Sequence, residues 1–227
     1  MKIALLSGFL ILLLANGCGE NSDVNEEFNR ILPVPKEINL QDGTFSFQDT
    51  LVLYADVEVL KPLYNVLKQE FKSLYLTEII QGNDSAKADI LLNIDPSMDE
   101  ESYRVTVNNN IKVTGGSYRA VAMGTVSVLQ SISESQELKH IRKGIIYDFP
   151  DLPFRGLMID VARRKHSIAV LKQIVSLCRW YKIHYLQLHL TDENFFSFPT
   201  EAYPQLATEE FRFEKDEFID LVNFANA

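Results

Sequence analysis

Cysteine is almost missing from this sequence: Cys18 and Cys178 are the only two in 227 residues. A fold stapled by several disulfides is therefore excluded, and the chain must be held by its core. Basic residues are also short. Lysine and arginine number 22 against 31 aspartates and glutamates, a formal net charge of −9. Phosphate binding needs a basic face, so nucleic acid is not expected as a partner. The four histidines, His140, His166, His184 and His189, lack the spacing of a metal-ligand set, and neither a metal nor a cofactor is expected. Apolar residues are not lacking. At 46% hydrophobic and 23% charged, the composition is that of an ordinary globular protein and excludes global disorder.

The first stretch stands outside any fold. Lys2 supplies a short positive region, Ile3 to Ala15 is almost wholly apolar, and Ala15-Asn16-Gly17-Cys18 follows. The run is too short to span a bilayer and has the form of a secretory signal. Ending in Gly17-Cys18, residues 1–18 resemble a bacterial lipoprotein signal, which implies lipid on Cys18 and a membrane partner through that anchor. The alternative is a plain cleaved signal with an incidental cysteine. Residues 19–30 are polar and acidic with little to bury, and they form a tether.

From Ile31 the patterning divides in two. The first region, 31–152, mixes strands and helices. Asp42-Gly43 signals a hairpin turn ahead of the alternating run Thr44 to Phe47. Leu51 to Tyr54 and Ala88 to Ile94 are further strands. Leu60, Leu63, Leu67, Phe71 and Leu74 share one helical face. Tyr103 to Val107 and Ile111 to Thr114 alternate around Asn108-Asn109-Asn110, residues that tolerate a tight turn. A second helix runs from Tyr118 to Ile132, with Ala122, Val126 and Leu129 inward. This predicts an α+β layer of two helices on a sheet.

The second region, 153–227, is a strand from Arg155 to Val161, a helix capped by Ser167, a strand from Ile183 to Leu190 and a helix from Phe211 to Ala225. The first of these helices carries Leu171, Ile174, Val175 and Cys178 on one stripe, where Cys178 is a small buried hydrophobe. Strand-helix-strand-helix implies a parallel unit whose chemistry sits at the C-terminal ends of the strands. In the second strand Leu186, Leu188 and Leu190 share one face, and Tyr185, Gln187 and His189 the other. The leucine face suits helices, and the polar face suits a barrel lumen with His189 near its rim. Two such units cannot close an eight-stranded barrel, which needs roughly 250 residues.

Arg155-Gly156-Leu157-Met158-Ile159-Asp160-Val161-Ala162-Arg163, followed after a helix by Leu188-His189-Leu190-Thr191-Asp192-Glu193, resembles the opening of the catalytic barrel of glycoside hydrolase family 20. The segments Phe195 to Phe198 and Tyr203 to Leu206 also resemble that family. Ile31 to Pro35, Tyr103 to Thr114 and Ala120 to Ile132 resemble its accessory domain. The resemblance implies an α+β accessory domain followed by an incomplete (β/α)8 TIM barrel of two β/α units. It also implies a glycosidase, a β-N-acetylhexosaminidase acting on N-acetylhexosamine-containing glycans; with the signal-like residues 1–18, that activity is expected at the bacterial cell envelope, lipid-anchored at the outer membrane or facing the periplasm.

Roles follow from the resemblance residue by residue. Arg163 matches an arginine that clamps ring hydroxyls of the sugar, and Asp192 a carboxylate of the active site; as alternatives they are a surface arginine beside Arg164 and Lys165, and a turn cap. His189, Glu193 and Asp160 are supporting residues, His189 as a hydrogen-bonding group and Asp160 as a partner for an arginine. Family members work by substrate assistance, with an adjacent Asp-Glu pair at the end of the fourth barrel strand. That pair is expected beyond Ala227, so no catalytic residue is assigned to Asp192-Glu193. Two other readings stand beside this one: a fragment resembling hyaluronidase-like or O-linked N-acetylglucosaminidase enzymes, and a non-catalytic sugar-binding lipoprotein.

Overall fold

The computed structural model describes residues 30–47, 49–135, 138–193, 195–207 and 209–226. The expected signal, Cys18 and all but the last residue of the tether lie outside the described residues. Among those described, no helix is long and apolar enough to cross a membrane.

The larger module is an eight-stranded mixed sheet. Its strands are β1 (Glu37–Phe47), β2 (Thr50–Ala55), β3 (Glu78–Gln81), β4 (Ile90–Ile94), β5 (Tyr103–Val107), β6 (Ile111–Gly115), β7 (Ser133–Ser135) and β8 (Leu138–Asp148). They lie in the order β1-β8-β5-β6-β4-β2-β3, with β7 beside β8. Alternation decides which face is buried: Tyr103, Val105 and Val107 are inside while Arg104 points out, as the period of two requires. β5 and β6 form the expected hairpin, closed by the Asn108 N–H donating to the Asn110 carbonyl at 2.9 Å.

Two helices cover the apolar face: α1 (Pro62–Tyr75) and α2 (Tyr118–Gln130). α1 buries Leu63, Leu67 and Phe71, whereas Leu60 belongs to a preceding 3-10 turn and Leu74 is exposed. Almost all of α2 from Ala120 to Gln130 is buried, because its outer side is covered by the second module and not by water.

Three expectations need correcting. Asp42-Gly43 is not a hairpin turn: β1 runs straight through it, and the register with β8 shifts between Leu40 and Thr44. Gly43, at φ 92°, supplies the left-handed backbone of that bulge. The sheet also recruits β3, β7 and β8, which the sequence pattern does not announce. The last helix begins at Lys215, four residues later than its apolar pattern suggests.

The smaller module is a two-stranded parallel sheet, β9 (Gly156–Asp160) and β10 (Tyr185–His189), joined by α3 (Ile168–Trp180) and followed by α4 (Lys215–Asn226). Ser167 caps α3, its hydroxyl accepting from the Val170 N–H at 3.4 Å. Val161, Leu171, Phe213 and Leu221 are buried here, with Ile159, Leu188 and Leu190 against them. The leucine face of β10 therefore meets the helices. Gln187 and Tyr185 lie on the opposite face, open to solvent. α3 turns into β10 through Lys182, at φ 58°, a conformation that costs a non-glycine residue roughly 1–2 kcal/mol.

Candidate functional site

The site is built by the register of two strands. Asp160 is the last residue of β9 and sits opposite His189, the last of β10. In a parallel pair, opposed residues point to the same face, so both side chains rise at the C-terminal rim. Past Asp160 the chain bends, with Val161 and Ala162 fully buried. Asp160 Oδ1 accepts from the backbone N–H of Ala162 at 3.0 Å and of Arg163 at 2.9 Å, a local turn of the kind aspartate favours. Its other oxygen accepts from Arg163 Nη1 at 2.8 Å.

Arg163 thereby spans the two strand ends. Its Nη2 lies 2.7 Å from Asp192 Oδ2, and His189 Nε2 lies 3.0 Å from the same oxygen. A carboxylate only accepts, so His189 carries a proton on Nε2. Asp192 Oδ1 accepts from the Glu193 N–H at 2.8 Å. Asp160, Arg163, His189 and Asp192 are thus brought into one chain of charge-assisted bonds. Of Glu193, only the backbone takes part. The Asp192 side chain is 11% exposed and that of Arg163 60%, so the acid is tucked under an arginine that faces out.

The loop carrying Asp192 is pinned from behind. The Asp192 N–H donates to the Phe195 carbonyl at 3.0 Å, and the Ser197 N–H to the Leu190 carbonyl at 2.8 Å. Ser197, fully buried, adds its hydroxyl to that same carbonyl at 2.9 Å. Phe195 stacks on Phe211 and Phe198 meets Phe218 edge-on. Lys165 Nζ donates to the carbonyls of Glu210 and Arg212. Sequence reasoning missed Lys165, whose partners lie 45 and 47 residues along the chain, and Ser197, whose hydroxyl closes the loop onto Leu190. It also gave little weight to Asp160, although an aspartate three residues before an arginine at a strand end is a readable signal.

Electrostatics limit what the rim can do. The hydrogen bond from His189, then the Glu193 N–H and the Arg163 guanidinium, hold the Asp192 carboxyl below its ordinary value. The Arg163 and Ala162 N–H groups and the Arg163 guanidinium do the same for Asp160. Neither acid is poised to give up a proton near neutral pH, which a general acid must do. Two of the guanidinium's five N–H donors are committed to carboxylates; among the described residues the others are available to neutral hydroxyl oxygens.

The sequence profile described as "Glycosyl hydrolase family 20, domain 2" matches residues 29–149, more than half of the chain, and that of the family's catalytic domain matches residues 152–225. The chain belongs to glycosyl hydrolase family 20. A beta-hexosaminidase of Vibrio furnissii is 27% identical over 177 residues, which cover 78% of this chain and 28% of that protein. One from Akkermansia muciniphila is 34% identical over 114 residues, 49% of this chain and 23% of that protein. The family fold is also seen in the exo beta-N-acetylglucosaminidase of Vibrio harveyi, solved with N-acetylglucosamine. It superposes with a TM-score of 0.79 at 22% identity, over 87% of this chain and 34% of that one. The chain thus spans about a quarter of the length of these two curated relatives.

Proposed function

We propose that this chain forms the accessory domain (31–152) and the first two β/α units (153–227) of a β-N-acetylhexosaminidase. The whole enzyme would remove terminal N-acetylhexosamine from glycans by substrate-assisted catalysis. The observation that carries this reading is the meeting of Arg163 and Asp192, 2.7 Å apart at the rim of adjacent parallel strands. In this reading Arg163 clamps the sugar's ring hydroxyls with its outward donors. Asp192, steadied by His189, fixes the guanidinium and keeps a full negative charge.

The acid-base pair comes from chain outside residues 1–227. That assignment is supported by the depressed carboxyls of Asp160 and Asp192, which suit holding and not proton donation. The protein sits at the bacterial cell envelope, held by lipid on Cys18. This rests on the patterning of residues 1–18.

The test is hydrolysis. Purified residues 19–227 are expected to release nothing from a chromogenic N-acetylhexosaminide, because the pocket lacks its acid. Clear turnover that disappears in Glu193→Gln would place the acid at Glu193 and overturn the assignment.

A further inference from the structure

Lys182 breaks two local rules at once. It takes up a left-handed backbone, where glycine or asparagine is usual. It is also only 4% exposed, although lysine is seldom buried without a partner. The partners are all in the larger module. Its ammonium donates to the Tyr103 phenol oxygen at 2.7 Å and to Asp148 Oδ2 at 3.2 Å. Tyr103 in turn donates to Asp148 Oδ2 at 2.7 Å, and Ser127 Oγ lies 2.7 Å from the same phenol oxygen. Each polar atom of this buried knot is thereby paired, the condition under which a buried charge is tolerable.

The same residue also ties the strand starts together. Its carbonyl accepts from Arg155 Nε at 3.0 Å. The Arg155 carbonyl accepts from the N–H groups of His184 and Tyr185. One turn earlier Arg179 forks onto Glu70 at 2.7 and 2.8 Å and donates to the Ala122 carbonyl and Thr125 Oγ1. Gln130 Nε2 donates to the Trp180 carbonyl at 2.9 Å. Both cations lie at the negative end of the α3 dipole.

Among the described residues, the smaller module has a two-stranded sheet and a cluster of four buried apolar side chains. We propose that the Lys182 turn is a buried latch: it docks the β9–α3–β10 unit onto the larger sheet, and breaking it releases that docking before the rest of the fold unfolds. The larger module then serves as a docking platform for the strands that carry the rim, a role separate from binding sugar, and the proposal stands whether or not the rim does so.

In residues 19–227, the material of the hydrolysis assay, Trp180 is the only tryptophan; it lies two residues from the latch and reports docking by fluorescence, while circular dichroism follows the whole fold. In urea the native chain is expected to show both signals changing together. Lys182→Gly removes the ammonium but also relieves the left-handed backbone, so strain and latch pull in opposite directions. The latch predicts a Trp180 transition about 1 M urea below that of the native chain and ahead of circular dichroism. Coincident transitions at an unchanged or higher midpoint would overturn it. Asp148→Asn leaves backbone and volume alone and is expected to give the same early Trp180 transition. It also decides the matter if Lys182→Gly does not accumulate as folded protein, since an unshifted Asp148→Asn overturns the latch equally.

Discussion

Asp192 is where the rim is held together, since Arg163, His189 and the Glu193 N–H all converge on its two oxygens. Its carboxyl titrates below the ordinary value of 3.8, first because His189 donates to it. A depressed acid stabilises the fold above its unfolded value and loses that contribution as pH falls through its folded one. Asp192→Asn should therefore lower the thermal midpoint at about pH 7. The gap to the native chain should close once the pH falls well below 3.8, where both carry an uncharged group. Melting curves across that range check this, and a pH-independent gap would mean the charge at this position is not what matters. At this scale much was legible. Asp160, Arg163, His189 and Asp192 stand in two short runs of sequence, and the strand register alone brings them together. The supports were not legible, because Lys165 reaches carbonyls 45 and 47 residues away.

The elements show where periodicity carries information and where it fails. β5 and β6 alternate strictly, and their hairpin closes as the asparagines suggest. β3 has only Ile79 to bury, too little for a pattern. β8 lies between β1 and β5, so its burial is decided by strands about forty or more residues away. The bulge at Gly43 is a related failure, since Asp-Gly serves a bulge as well as a turn. Two substitutions separate backbone from packing. Gly43→Ala meets nothing nearer than 3.7 Å but must hold a positive φ, and should cost about 1 kcal/mol. Leu53→Ala empties a core site only 1% exposed, and should cost about 2–5 kcal/mol. Urea midpoints rank the two, and the reverse order would mean that the bulge, and not the core, governs this module.

At the scale of the whole molecule the two modules differ in kind. The larger is a sheet with its own core, and the smaller, among the described residues, raises a polar rim over the cluster of Val161, Leu171, Phe213 and Leu221. Their junction includes two buried or half-buried ion pairs, Lys182 with Asp148 and Arg179 with Glu70, beside the packing of Trp180 on the larger core. No stretch of sequence signalled it, because the pairs join residues 34 and 109 positions apart. The rim presents an outward-facing arginine held by two carboxylates, Asp160 and Asp192, whose depressed values do not suit proton donation. The proposed function requires further chain, anchored at the envelope, to complete a pocket around that rim. The intact mass of the native protein, extracted from its envelope with detergent, tests this most directly. The account predicts a species well above the 25.9 kDa of residues 1–227, with its first residue a diacylated Cys18. A mature species lighter than 25.9 kDa would contradict it.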